Sequence, residues 1–71
     1  MKLAYYQETD SLYIDLAERP SVESREVADG VVLDYDADGQ LVGIDIDQAS
    51  RRIALERITV TGATVGVLKA G

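Results

Sequence analysis

The chain has 71 residues, thirteen Asp or Glu against seven Lys or Arg, a net charge of −6, and neither cysteine nor histidine. These counts exclude disulfide staples and thiolate or imidazole metal sites, and the net charge argues against a nucleic-acid partner, which requires a basic surface. A domain near this size buries only about 60% of the surface its unfolded chain exposes, and its core rarely supplies more than ~3–5 kcal/mol, so association is the expected further stabiliser.

The charge is unevenly placed. Residues 1–50 carry twelve acids and three bases, a balance of −9, and residues 51–71 carry one acid and four bases, a balance of +3. An acidic body with a basic tail suits contact between subunits, or a tail folded onto its own body; charges scattered for solubility are the plainer alternative. Acidic residues occur by positions 8 and 10, ahead of any leader-like apolar run. The longest uncharged stretch, 58–68, is half of what a membrane-spanning helix needs. A cytoplasmic protein without a membrane partner is therefore expected.

In chain order, residues 2–6 predict a first strand, and the polar Gln7-Glu8-Thr9-Asp10 predicts a turn. Leu12, Ile14 and Leu16 alternate with Tyr13, Asp15 and Ala17, the period of a strand, so 2–16 is expected to be a hairpin. Pro20 stops that strand. Residues 23–27 are charged and weakly apolar, as an exposed edge strand should be. Asp29-Gly30 turns the chain into 31–36, and an Asp38-Gly39 turn requiring positive φ returns it through 41–47. Asp47 is expected to cap two turns of helix that bury Ala49 and Ile53 and point Arg51 and Arg52 to water. Segments 58–61 and 64–68 resemble strands that pair with each other or cross to another subunit.

The alternation also sorts side chains by face. Leu3, Tyr5, Leu12, Ile14, Leu16, Val31, Leu33, Tyr35, Val42, Ile44 and Ile46 share an apolar face. Tyr6, Tyr13, Asp15, Val32, Asp34, Leu41, Gly43 and Asp45 share a mixed one. A slip of one residue would exchange the faces, so register is strongly specified.

The chemical motifs lie on the mixed side. Asp34-x-Asp36-x-Asp38-Gly39, with Asp45 at the twelfth position, has the spacing of a calcium loop, in which alternate short acids converge and glycine makes the bend. The twelfth ligand should be a longer Glu and the flanks should be helices, so a hairpin turn with exposed aspartates is the stronger reading. Asp15, Asp34 and Asp45 gather on one face if strands two, four and five are neighbours. There they suit shared-proton chemistry, a divalent ion, or plain solvation. Tyr6 and Tyr13 beside aspartates suit an interface, or cross-strand pairing. Gly43, inside a strand, predicts a bulge or a close backbone approach.

Residues 5–14 (Tyr-Tyr-Gln-Glu-Thr-Asp-Ser-Leu-Tyr-Ile) and 29–36 (Asp-Gly-Val-Val-Leu-Asp-Tyr-Asp), with Gly39, Val42-Gly43-Ile44-Asp45 and Ala49-Ser50, resemble the bacterial family called Domain of Unknown Function 2283. The resemblance covers roughly residues 1–53. Tyr6 stands where the family often has Asp, and Asp45 where it often has Glu. The resemblance implies a small α+β domain and supplies no established activity, so it assigns no role to any residue. An antitoxin-like role beside a toxin-like partner is a hypothesis attached to it.

The expected fold is a single α+β domain over 1–71: an antiparallel sheet of four or five strands with two hairpins, one short helix on one face, and a tail, 54–71, exchanged between subunits. The expected function is a non-enzymatic interaction module, without catalytic residue, cofactor or metal, that self-associates as a dimer. A basic protein partner would dock on Tyr6, Tyr13, Asp15, Asp34 and Asp45. The alternatives are a divalent-cation module using loop 34–45, and acid/base catalysis by the aspartates.

Overall fold

A computed structural model of the chain describes residues 1–57 and 59–62. Five strands, β1 (Lys2–Tyr6), β2 (Ser11–Asp15), β3 (Glu23–Ala28), β4 (Val31–Tyr35) and β5 (Leu41–Ile46), precede a single helical turn, α1 (Ala49–Arg52). They form one sheet in the order β1-β2-β5-β4-β3, with every neighbouring pair antiparallel. The chain thus winds a hairpin, β1–β2, and a meander, β3–β4–β5, and joins them along β2 and β5. The expected α+β architecture is present.

Register bears out the separation of faces except at Leu41, which the shift in the β4–β5 pairing sets across from Tyr35 on the apolar side. Leu3, Ile14, Ile44, Leu33 and Arg25 form one continuous cross-strand row, and Tyr5, Leu12, Ile46, Val31 and Ala28 form another. Both rows belong to the apolar face. Rows of Lys2, Asp15, Gly43, Asp34 and Ser24, and of Ala4, Tyr13, Asp45, Val32 and Glu26, belong to the opposite face. Burial is thin: among the described residues only Leu12, Val42 and Ala49 are fully buried apolar side chains.

The β4–β5 turn differs from the expected two-residue form. Asp36 N donates to Gln40 O at 2.9 Å and Gly39 N to Asp36 O at 3.0 Å, closing a three-residue loop, 37–39. Gly39 has φ 80 and Asp38 does not share it. The Asp36 carboxylate decides this form, because its Oδ1 accepts from both Asp38 N and Gln40 N at 2.9 Å.

The helix differs in length, cap and the burial of Ile53. It is four residues long, and its N-cap is Gln48, in the left-handed region, with no side-chain cap of its own. Asp47 instead accepts from Gln48 N at 3.1 Å and from Ser11 Oγ at 3.4 Å. Ile53, the extended C-cap, is 36% exposed rather than buried, whereas Arg51 and Arg52 are exposed as expected, and Arg52 folds back over the turn. Its Nε donates to Asp47 O at 2.9 Å, and its guanidinium lies against Gly30, where a Cβ would meet Nη2 at 2.9 Å. A long aliphatic stem lets it fold back along the surface.

Residues 59–62 form no strand and are exposed, which corrects the described part of the strand expected at 58–61. An alternating pattern becomes a strand only where an edge receives it. The segment 64–68 and the rest of the expected exchange lie outside the described residues. No helix among the described residues is long and apolar enough to cross a membrane.

Candidate functional site

The antiparallel register assembles the mixed face around Gly43. Asp15 and Asp34 stand directly across from Gly43 on its two sides, while Tyr13 and Val32 flank Asp45 one row away. Of the five residues expected at an interface, the structure therefore brings together Tyr13, Asp15, Asp34 and Asp45. Tyr6 does not join them; it sits at the end of β1 opposite Ser11 and is exposed.

Tyr13 lies diagonally across Gly43 and donates from its hydroxyl to Asp34 Oδ2 at 2.8 Å. Ser24 Oγ donates to Asp34 Oδ1 at 2.6 Å. One carboxylate thus links β2, β4 and β3. The phenol path explains the glycine: a Cβ at position 43 would stand 1.9 Å from the Tyr13 hydroxyl and 2.6 Å from Cζ. The register also shifts between Asp34 and Tyr35, so β5 has both a bulge and a close approach. Burial first, then the bond to Asp34, then the charges of Asp34, Asp15 and Asp45 push the Tyr13 phenol up to about 12. It therefore holds its proton throughout the neutral range, and its chemistry here is that of a donor.

A second polar network lies at the other end of the hairpin. Asp10, with φ 55 in the β1–β2 turn, accepts from Tyr5 Oη at 2.7 Å and Ser50 N at 3.0 Å through Oδ1, and from Ser50 Oγ at 2.7 Å through Oδ2. Its carbonyl accepts from Ala49 N at 2.8 Å. The helix cap assigned to Asp47 is thus supplied by Asp10, from 40 residues away in the chain. The Ser50 hydroxyl, then the Tyr5 hydroxyl, hold the Asp10 carboxyl below its ordinary value, and the same contact raises the Tyr5 phenol.

On the mixed face runs an open groove of about 410 Å³, with Ser11, Glu26, Val32, Asp45 and Asp47 in its walls. Burial, then the charges of Asp34 and Asp47, raise the Asp45 carboxyl above its ordinary value. Glu26, Ser24 and Ser11 were absent from the sequence-derived set. Strand alternation places Ser24 and Glu26 together, but only the register of β3 on β4 shows that they share the face of Asp34.

The calcium-loop spacing does not converge. Asp34 is held by Tyr13 and Ser24 on the sheet. Asp36, 7% exposed, turns to its own loop and to Arg19 Nε at 2.8 Å, and Asp38 is exposed. The Gln40 N–H bond first, with Asp38 N–H and Arg19 adding to it, holds the Asp36 carboxyl below its ordinary value. Among the described residues no three acidic side chains stand where they could share a metal ion.

Sheet, meander, clasped helix turn and acidic groove together define a small one-layer α+β domain. A family model described as "Protein of unknown function (DUF2283)" matches residues 2–50, more than half the chain and all five strands. The chain belongs to this family, as the resemblance implied. No curated protein and no solved structure matches it. Six of the residues that carry the resemblance, Tyr5, Asp10 and Ser50 on one side and Tyr13, Asp34 and Gly43 on the other, belong to the two polar networks, whereas Ser24, which bonds to Asp34, lies outside its motifs.

Proposed function

We propose that this protein is a non-enzymatic interaction module that works as a self-associated pair. The observation that carries this reading is the single-layer sheet with an incompletely covered apolar face: among the described residues Leu3 is 41% and Tyr5 44% exposed, beside three fully buried apolar side chains. Such surface in a chain this small stabilises an interface more readily than a monomer. A second copy offers the same surface, and two-fold dimers are the commonest closed arrangement. Light scattering at micromolar concentration should return twice the chain mass; the monomer mass would overturn the reading.

A second reading concerns the opposite face and a different partner. Glu26, Asp45 and Asp47 line the groove beside Asp15, a field suited to a basic protein, which complementary charge draws in quickly. An antitoxin covering a basic, RNA-handling toxin would fit that description. Asp15→Asn with Asp45→Asn should slow association with whatever basic protein co-purifies and reduce its salt dependence. Association unchanged and insensitive to salt would remove this reading.

A further inference from the structure

The two edges of the sheet are finished differently. On β3 the register shifts between Glu26 and Ala28, leaving Val27 bulged out of the ladder. Glu23 and Arg25 form an ion pair at 2.9 Å along the same strand. The Arg25 guanidinium also lies 5.3 Å from the centre of the Tyr35 ring, so a cation closes the apolar face at that side. A bulge and charges are the devices by which a sheet edge refuses another strand.

Strand β1 carries none of these along its length. Its five residues, Lys-Leu-Ala-Tyr-Tyr, pair with β2 without interruption, and Lys2 at one end is the only charge. Three of its side chains, Leu3, Tyr5 and Tyr6, are large, apolar and exposed, and no described strand lies on its outer side. The apolar surface left in water is therefore densest at the edge with least protection.

We propose that β1 is the seam of the self-associated pair: the β1 strands of two copies run antiparallel about Ala4, merging two five-stranded sheets into one. This rests on the self-association reading above. Pairing about Ala4 sets Leu3 of one copy opposite Tyr5 of the other, so the apolar faces continue across the seam. It sets Lys2 opposite Tyr6 and brings it toward the acidic 7–10 turn of the other copy, which holds Glu8 and Asp10. The one charge on the strand thus meets an aromatic ring and opposite charge. A second copy fits this edge because the strand is its own complement in that register.

The absence of cysteine from the chain makes the test direct. Ala4→Cys places two thiols opposite each other across the proposed two-fold, and Val27→Cys places one on the guarded edge. Both variants are checked by circular dichroism and light scattering, then treated with an oxidant and with a short bis-maleimide. The expected result is a dimer mass for both, with covalent dimer forming at least tenfold faster for Ala4→Cys than for Val27→Cys. Dimer mass with no such preference would overturn the β1 seam and leave self-association standing. Monomer mass for the native chain would remove both.

Discussion

Two carboxylates of this domain do opposite kinds of work. Asp34 sits within the sheet and ties three strands side by side through Tyr13 and Ser24. Asp10 sits in a turn and ties the first hairpin to a helix 40 residues away through Ser50. The first depends on a side chain that is missing, at Gly43, whereas the second depends on backbone donors that a one-turn helix cannot satisfy alone. A polar network in a one-layer fold can thus be fixed by register or by a terminus, and each fails in its own way.

The sharpest way to break the sheet network is at the glycine. Gly43→Ala should cost about 1–3 kcal/mol, the usual penalty of overpacking, read as a loss of roughly 10 °C in Tm for a domain of this size. In a Tyr13→Ala background the clash is gone, and the same replacement should become neutral or stabilising by about 0.5 kcal/mol, because glycine is costly inside a strand. A penalty that survives removal of the phenol would show that the backbone, and not Tyr13, demands glycine.

Breaking the clasp should be more local. Asp10→Ala should raise the hydrogen-exchange rate of the Ala49 and Ser50 amides while leaving the β4–β5 amides protected. The pH dependence has a definite sign. Asp10 titrates below its unfolded value, so its contribution is complete above the ordinary carboxyl pKa of 3.8 and is lost as pH falls through the lower folded value. Asp10→Asn, which tolerates the left-handed turn, should flatten that part of the acid-denaturation curve.

Tyr13 sharpens the contrast at the other end of the scale. Its phenol is raised, so its contribution is complete below the ordinary value of 10.0 and is lost as pH rises toward about 12. Phenolate absorbance, identified by difference against Tyr13→Phe, should show this late ionisation, and Asp34→Asn should move it back toward 10.0.

The smallest effect should be a gain. Asp45 is raised by burial and by neighbouring acids, so its charged form opposes folding at neutral pH. Asp45→Asn should give a slight gain in stability, kept small because the side chain is exposed and solvent screens the repulsion. That gain should fade below pH 3.8, where the carboxyl is protonated in both states.

Much of the sheet could be read from the chain, because alternation and turn residues are local signals. The β1, β3, β4 and β5 spans match to within a residue or two, and every apolar-face assignment tested by continuous register holds. Gly43 was legible as a close approach, and the gathering of Asp15, Asp34 and Asp45 followed from the assumed adjacency of β2, β4 and β5. The misses were non-local, side-chain led or a matter of helix length. Asp47 is the cap that a linear pattern offers because it precedes the helix, and nothing in that pattern shows that Asp10 arrives from the other end. The 37–39 loop took its form from a carboxylate bonding its own backbone, which competes with the two-residue turn that Asp-Gly suggests. Burial of Ile53 required a second helical turn, and the helix stops before it, leaving Ile53 extended and exposed.

The junction of β2 with β5 has a consequence for how the chain assembles. Every other strand pair joins neighbours in sequence, whereas this one matches residues 12–15 with 43–46. Local hairpins close in about 1–10 μs, but this ladder must wait for a long loop to close, and distant contacts set the pace of folding. During synthesis the first hairpin therefore emerges with the inner side of β2 unpaired, and Leu12 and Ile14 in water, until Ile46 has left the ribosome. Substitutions along this junction should slow folding, while loss of the Asp10 clasp should mainly hasten unfolding.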